Sequence, residues 1–408
     1  MTAAQRQIVL INAAHGFTHY SLLILPTAVL AIVAQGGALG TDYGDILKLS
    51  TGMFILYGLF SLPQGWLAKR LGRKALMSTF FLGTGVSLVA TSFAETPLWM
   101  ALTLASVGLF TAIYHPIGTT MLVDAAGEKP GRVVGVNGMF GNLGVALAPF
   151  VTAFMAQQFG WRSAFLLPGL ACAVIGFLWM RSPVVTAHAS GGGKAFPDIP
   201  RHLVRRAVTV LLIIAAVSGL VFNAYTLLIP KLMAERLARD PALLPLVGLA
   251  AFVVTLCGAA TQFTIGRLID RTTLRRVMLP LSVLLVAGLL AVSYVDGWGV
   301  VPAGGLVAAV LFGQVTVNET MTARYISPEL RAQMYSVRFF VGFLGSAAAP
   351  FVIAALYDHT GNLAAVTLVL AGFALITLAS ALFFPDRQEE LQPELWAKFL
   401  TPRPAAAE

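Results

Sequence analysis

Long apolar stretches recur along this chain, each close to the ~20 residues a helix needs to cross the hydrocarbon core of a bilayer, and short polar loops separate them. Twelve are predicted as membrane-spanning helices: 8–34, 44–68, 75–93, 98–123, 132–157, 162–181, 207–233, 243–269, 276–295, 299–323, 332–357 and 362–384. Between the sixth and seventh runs the chain carries Gly191-Gly192-Gly193 and the basic cluster Arg201, His202, Arg205 and Arg206. Such a stretch reads as a linker. The pattern therefore divides into a six-helix half over 1–181, a linker over 182–206, a second six-helix half over 207–384 and a tail over 385–408.

The halves repeat. The stretch Gly141-Asn142-Leu143-Gly144-Val145-Ala146-Leu147-Ala148-Pro149-Phe150-Val151 matches Gly342-Phe343-Leu344-Gly345-Ser346-Ala347-Ala348-Ala349-Pro350-Phe351-Val352 at an offset of 201. Gly65 to Arg70 matches Gly266 to Arg271 at the same offset, and Phe17 to Ile24 matches Phe222 to Ile229 at an offset of 205. Three matches in one order predict an all-α membrane protein of twelve transmembrane helices in two six-helix halves related by a parallel repeat. Folds of that kind bind their ligands near the bilayer midplane, where the halves meet.

Composition agrees: 57% of residues are hydrophobic and 11% charged, too little polar surface to cover a water-soluble domain. The net charge of +9 is scattered over short loops, whereas a nucleic-acid footprint needs basic residues gathered on one soluble face. No nucleic-acid partner is expected; the lipid bilayer is. Lys69, Arg70, Arg73, Lys74, Arg132, Lys194, Arg201, Arg205, Arg206, Arg267, Arg271, Arg275 and Arg276 fall in alternate loops. By the positive-inside rule those loops are cytoplasmic, which places both termini in the cytoplasm and the chain in the plasma (inner) membrane. Cys172 and Cys257 lie in apolar runs, with no second cysteine or clustered histidine at metal-ligand spacing. Both read as small buried residues, and neither metal nor cofactor is expected. The first apolar run is too long for a cleaved signal peptide.

Gly65-Trp66-Leu67-Ala68-Lys69-Arg70-Leu71-Gly72-Arg73-Lys74 resembles the signature loop of the major facilitator superfamily, G-x-L-x-D-R-x-G-R-K, and with the duplicated twelve-span plan the resemblance covers essentially the whole chain. It implies a transporter that works as a monomer on a small-molecule substrate, with the loop's acidic residue helping to hold the outward-facing state. Here Lys69 stands at that acidic position, whereas Asp270 holds the equivalent place in the second copy, which has Thr273 where a glycine is expected. The resemblance thus assigns gating to Gly65, Arg70, Gly72 and Arg73 and to Asp270 and Arg271, with any acidic latch resting on the second copy. Lys69 reads as a positive-inside anchor. The stretch Gly108 to Pro116, with Tyr114-His115-Pro116, followed by Gly131-Arg132, is similar to the fosmidomycin-resistance branch of exporters. Span 5 has Ala148-Pro149 where drug antiporters carry Gly-Pro.

A strongly polar side chain at membrane depth costs on the order of 2.5–3.5 kcal/mol on insertion scales, so it is directed into the bundle or a wet cavity. His15 and His19 are one helical turn apart, with Asn12 a turn earlier, and their shared face is expected to look into a central cavity. Packing histidines are the rival reading. Tyr20 and Tyr225 are repeat equivalents, expected either at the cavity rim or as interfacial anchors. Tyr114 and His115 bring a third imidazole beside Pro116, which is expected to kink span 4. The second half contributes Gln314, Asn318 and Glu319 in span 10 and Arg338 in span 11. Glu319 is the foremost proton carrier, with His19 and His115 beside it. Glu319 and Arg338 lie at similar depth and are able to pair, as a coupling switch or a structural salt bridge. Asn142, Asn223 and Gln262 complete the substrate-binding candidates, with Asn137 and Gln64 as helix-packing amides. Gly138, Gly141, Gly144, Gly342 and Gly345 read as close-packing surfaces.

No phosphate-binding Gly-rich loop is present, so ATP is not the driver. The expectation is a secondary transporter of a small polar or anionic molecule working by alternating access with protons as coupling ion, in the direction of efflux. Uptake of an organic anion is the alternative, and a non-transporting receptor on the same fold the remote one. An enzyme is not expected; a metal held between His15, His19 and His115 would revive that reading.

Overall fold

A computed structural model describes residues 1–126, 130–185, 199–237, 240–269 and 272–384. The first half contains α1 (Ala3–Leu22), α2 (Ile24–Gln35), α3 (Tyr43–Lys48), α4 (Thr51–Ser61), α5 (Gln64–Leu71), α6 (Arg73–Ser92), α7 (Pro97–Thr111), α8 (Thr119–Ala126), α9 (Pro130–Phe159) and α10 (Ser163–Met180). The second contains α11 (Arg201–Leu237), α12 (Leu244–Ile269), α13 (Leu274–Tyr294), α14 (Val300–Tyr325), α15 (Pro328–Thr360) and α16 (Leu363–Leu382). Among the described residues, eleven helical spans are long and apolar enough to cross a membrane, and the bent stretch Tyr43–Ser61 with Gln64–Leu71, taken as one span, brings the number to 12.

The duplication read from sequence is present in the packing. α1 packs on α9 as α11 packs on α15, and α6 packs on α10 as α13 packs on α16. Between the halves, α9 lies against α12 and α4 against α15, so the repeat-equivalent surfaces meet crosswise. Small residues allow the approach: a Cβ on Gly144 would collide with the backbone of Gly16, and one on Gly219 with the backbone of Gly342. Gly138 is different, since a Cβ there would meet nothing within 4 Å, and it is no packing surface.

Proline explains where the spans depart from straight helices. Span 1 breaks at Leu23, three residues before Pro26, whose missing N–H and ring clash prevent a continuous turn. Span 2 bends by 64° between Ser61 and Gln64, around Pro63; the Gln64 side chain donates to the Phe60 carbonyl at 2.8 Å. In span 4, Pro116 sits in a π-helical turn, Tyr114–Gly118. Such single wide turns recur at functional sites.

Two expectations change. Residues 201–206 belong to α11 instead of the linker, because the basic side chains continue the helix beyond its apolar part. Cys257 is exposed on α12, in contrast to buried Cys172; the outer face of a membrane helix is as apolar as its core, so composition does not separate the two. Residues 186–198, with Lys194, and the tail 385–408 lie outside the described residues.

Candidate functional site

In the first half, the one-turn spacing on α1 brings the His15 and His19 rings together, with Nε2 atoms 3.2 Å apart. Gly141 makes this possible: a Cβ there would stand 2.5 Å from the His15 ring. The π turn around Pro116 delivers His115, whose ring centroid lies 5.4 Å from that of His15 and 5.5 Å from that of His19. His15 Nδ1 is 2.7 Å from the Asn137 carbonyl oxygen, so Nδ1 carries the hydrogen and the neutral ring's Nε2 is left as the acceptor. Tyr114 stacks on His15 at 4.8 Å and donates to Asn137 Oδ1 at 2.9 Å, while Asn137 Nδ2 donates to Asn12 Oδ1 at 2.9 Å. Asn137 is the hub that sequence reasoning ranked low. The clue available was its position 201 residues before Arg338.

In the second half, Arg338 donates through Nη2 to Glu319 Oε1 and through Nη1 to Thr322 Oγ1 at 3.4 Å. The pair stands in the wall of a cavity of about 200 Å³ that Gln314, Asn318, Ser218, Phe339 and Phe343 also line. Ser218 Oγ, Gln314 Oε1 and Asn318 Oδ1 are buried there without a protein hydrogen-bond partner. Unpartnered buried acceptors are costly, on the order of 1–3 kcal/mol each, so three around one cavity mark a place for a polar guest or water. The cavity adjoins the imidazoles, because the Phe339 ring lies 5.7 Å from His115 and 5.2 Å from the Arg338 guanidinium. Phe343 packs on Tyr57 at 4.4 Å.

Other candidates lie elsewhere. Tyr225 is fully buried and donates to the Gly304 carbonyl at 2.8 Å, which makes it a helix-packing residue instead of a rim residue. Tyr20 lines a separate apolar groove between α1, α9 and α10, with Phe17 and Leu147. The symmetric rim expected of these tyrosines is absent because the rings point into each half's own packing. Asn223 donates to the Ser346 carbonyl at 2.8 Å, joining α11 to α15. Asn142 donates to Gln262, so these two amides bind one another across the halves.

A model of the Major Facilitator Superfamily matches residues 13–246 and again 211–406. The chain belongs to that superfamily. A probable sugar efflux transporter of Mannheimia succiniciproducens is 25% identical over 231 residues, 54% of this chain and 55% of that one. The niacin transporter NiaP of Acinetobacter baylyi is 28% identical over 175 residues, 39% of each chain. This facilitator thus spans about half, or less, of the length of these curated relatives. The fold agrees with the crystal structure of a bacterial homologue of the human lysosomal transporter Spinster, in an inward-facing and unoccupied conformation: TM-score 0.71, 12% identity, 99% of this chain and 100% of that one.

Around the facilitator's signature loop, Gly72 takes φ +81° between α5 and α6, a left-handed turn that glycine adopts without strain. Arg73 pairs with Asp124 of α8 at 2.7 Å, and the Arg70 guanidinium covers Trp66 at 4.2 Å. The acidic partner of Arg73 in this loop therefore comes from span 4 and not from the loop's own sequence. Gly65 stands in open space. Asp270 and Arg271 lie outside the described residues.

At the end of the bundle away from the termini, Lys48 bridges Asp45 at 2.9 Å and Asp358 of the other half at 3.0 Å. Tyr43 donates to the Leu227 carbonyl at 3.4 Å, and the Lys231 ammonium lies over the Tyr43 and Tyr357 rings at 5.1 and 5.2 Å. At the opposite end, Gly65, Gly135 and Gly266 have open space where a Cβ would stand.

Proposed function

We propose that this facilitator is a secondary transporter of a small polar or anionic molecule, working by alternating access with protons as the coupling ion, in the direction of efflux. The single observation that carries the reading is the Glu319–Arg338 pair in the wall of a cavity that also holds three unpartnered buried acceptors. Arg338 offers a guanidinium fork to a carboxylate or phosphate of the guest. A polar guest held by the Arg338 fork and donating to the ionised Glu319 carboxylate leaves when Glu319 takes a proton, and Glu319 returns to Arg338 when that proton is released. Proton and substrate therefore alternate at the pair, so a proton moving inward is exchanged for a guest moving outward as the halves rock about the site.

The linker end reads as cytoplasmic by loop charge. The contacts at the far end then make an extracytoplasmic closure, and the conformation is open to the cytoplasm. The relatives named for sugar efflux and for niacin transport favour sugar-like and carboxylate guests, and the monomer is the working unit. Reconstitution in liposomes with an internal pH dye tests the coupling. Substrate-dependent proton movement is expected in the native protein and lost in Glu319→Gln, while substrate exchange persists. Substrate flux without proton movement in the native protein would replace the proton with another ion or none.

A further inference from the structure

Three of the chain's six histidines converge at one point of the membrane interior, although the chain supplies no cluster at metal-ligand spacing in sequence. We propose that His15, His19 and His115 form a binding site for a divalent transition-metal ion of borderline softness, Zn²⁺ or Co²⁺, with an open fourth position. The site is independent of the transport reading, since binding needs neither flux nor a coupling ion.

Geometry carries the inference. Each residue offers one ring nitrogen, and these three atoms lie within 4.8 Å of one another. Nitrogens bound to zinc at about 2.0–2.1 Å in a tetrahedral set stand about 3.3 Å apart. The His15 and His19 Nε2 atoms already stand at 3.2 Å, so a modest ring rotation of His115 completes the triangle.

The surroundings fit a metal ligand in a second way. A ligating imidazole almost always donates its other N–H to a carbonyl or carboxylate, which fixes the tautomer. His15 does so toward the Asn137 carbonyl at 2.7 Å, leaving Nε2 free to ligate. Asn137 is itself fixed by Tyr114 and Asn12, so the ligand is held from behind. In the arrangement observed, His19 Nε2–H donates to His15 Nε2; with a metal on both Nε2 atoms, the His19 proton resides on Nδ1. Uncharged imidazoles suit zinc, cobalt, nickel and copper rather than the hard ions magnesium and calcium. Among the described residues, the carboxylate nearest in function, Glu319, is committed to Arg338. The acidic trio Asp42, Asp45 and Asp358 is a poorer site, since the Lys48 ammonium already lies between two of its members.

Cobalt reports the site without reference to transport. Untagged full-length protein in detergent is titrated with CoCl₂ and visible absorption is followed, then ZnCl₂ is added. One Co²⁺ per chain is expected, with the intense d–d bands of a tetrahedral ion, bleached by Zn²⁺. His15→Gln, His19→Gln and His115→Gln should each lower affinity by about 10–100-fold and weaken the bands, while His202→Gln leaves them unchanged. His19 is the mildest site to alter, so if the other two variants aggregate, a monodisperse His19→Gln still decides. Absence of the bands in the native protein, or bands that survive in a folded His19→Gln, overturns the proposal.

Discussion

Asn137 on α9 and Arg338 on α15 stand 201 residues apart, the separation that relates Gly141 to Gly342, yet they anchor opposite chemistries. In the first half, neutral Asn137 organises Asn12, Tyr114 and His15, with its own carbonyl and both ends of its amide hydrogen-bonded. In the second, charged Arg338 holds Glu319 beside three acceptors without partners. Duplication thus preserved the place and not the groups. Because a parallel repeat returns the same helix faces to the midline, either half is able to bear polar residues there, and divergence has given one half an imidazole cluster and the other an ion pair. The satisfied centre reads as fixed structure with ligating atoms in front; the unsatisfied one reads as the part that changes partners.

The largest effect is expected from Arg338→Ala. Breaking a buried pair from one side costs about 3–5 kcal/mol, and the low end applies because the Glu319 side chain is 38% exposed. Transport should fall at least about 100-fold, the equivalent of ~2.8 kcal/mol; near-native flux in Arg338→Ala would make the pair structural. Asn137→Ala, its repeat equivalent, should instead lower thermal stability and cobalt binding together.

Next comes a paired glycine test. Gly141→Ala drives a methyl into the His15 ring, whereas Gly342→Ala meets only the Ala215 carbonyl oxygen at 3.5 Å. Overpacking of the first kind costs about 1–3 kcal/mol, and the second should be close to neutral. Equal melting temperatures for the two variants would show that His15 moves freely and that the first centre is not rigid.

Tyrosine separates hub from packing. Tyr114→Phe leaves Asn137 Oδ1 without its donor, a loss of about 1–3 kcal/mol, and Tyr225→Phe removes one hydrogen bond to Gly304, about 1 kcal/mol. Only Tyr114→Phe should also alter cobalt affinity, read in the same titration. The smallest effect belongs to Lys48→Ala at the far end. A part-exposed ion pair of this kind contributes about 0.2–1 kcal/mol, and its loss should raise labelling of a cysteine introduced at Ala354, buried beside this contact, less so in high salt.

The apolar runs by themselves determined an all-helical membrane chain of twelve spans, because only helices and closed barrels satisfy their backbone hydrogen bonds in lipid and runs of about 20 residues are the length of a helix and twice that of a barrel strand, and the repeated motifs determined the two halves. They also showed which residues are expensive enough at membrane depth to need a reason: His15, His19, His115, Glu319 and Arg338. Pro116 announced an irregular turn in span 4, which is the π turn Tyr114–Gly118. What only the tertiary structure decided is direction around each helix. Tyr20 and Tyr225 are equivalent in sequence and turn into separate packings; Asn142 and Gln262 find one another across the halves; Asn137, an ordinary amide on α9, becomes a hub because α1 and the π turn of span 4 converge on it. Periodicity is nearly silent in these helices, since lipid and protein core are equally apolar and no polar face marks the inside. The contacts that assign these side chains come from other helices, 19 residues away for Glu319 and Arg338 and 122 for His15 and Asn137, and a linear pattern carries no such information.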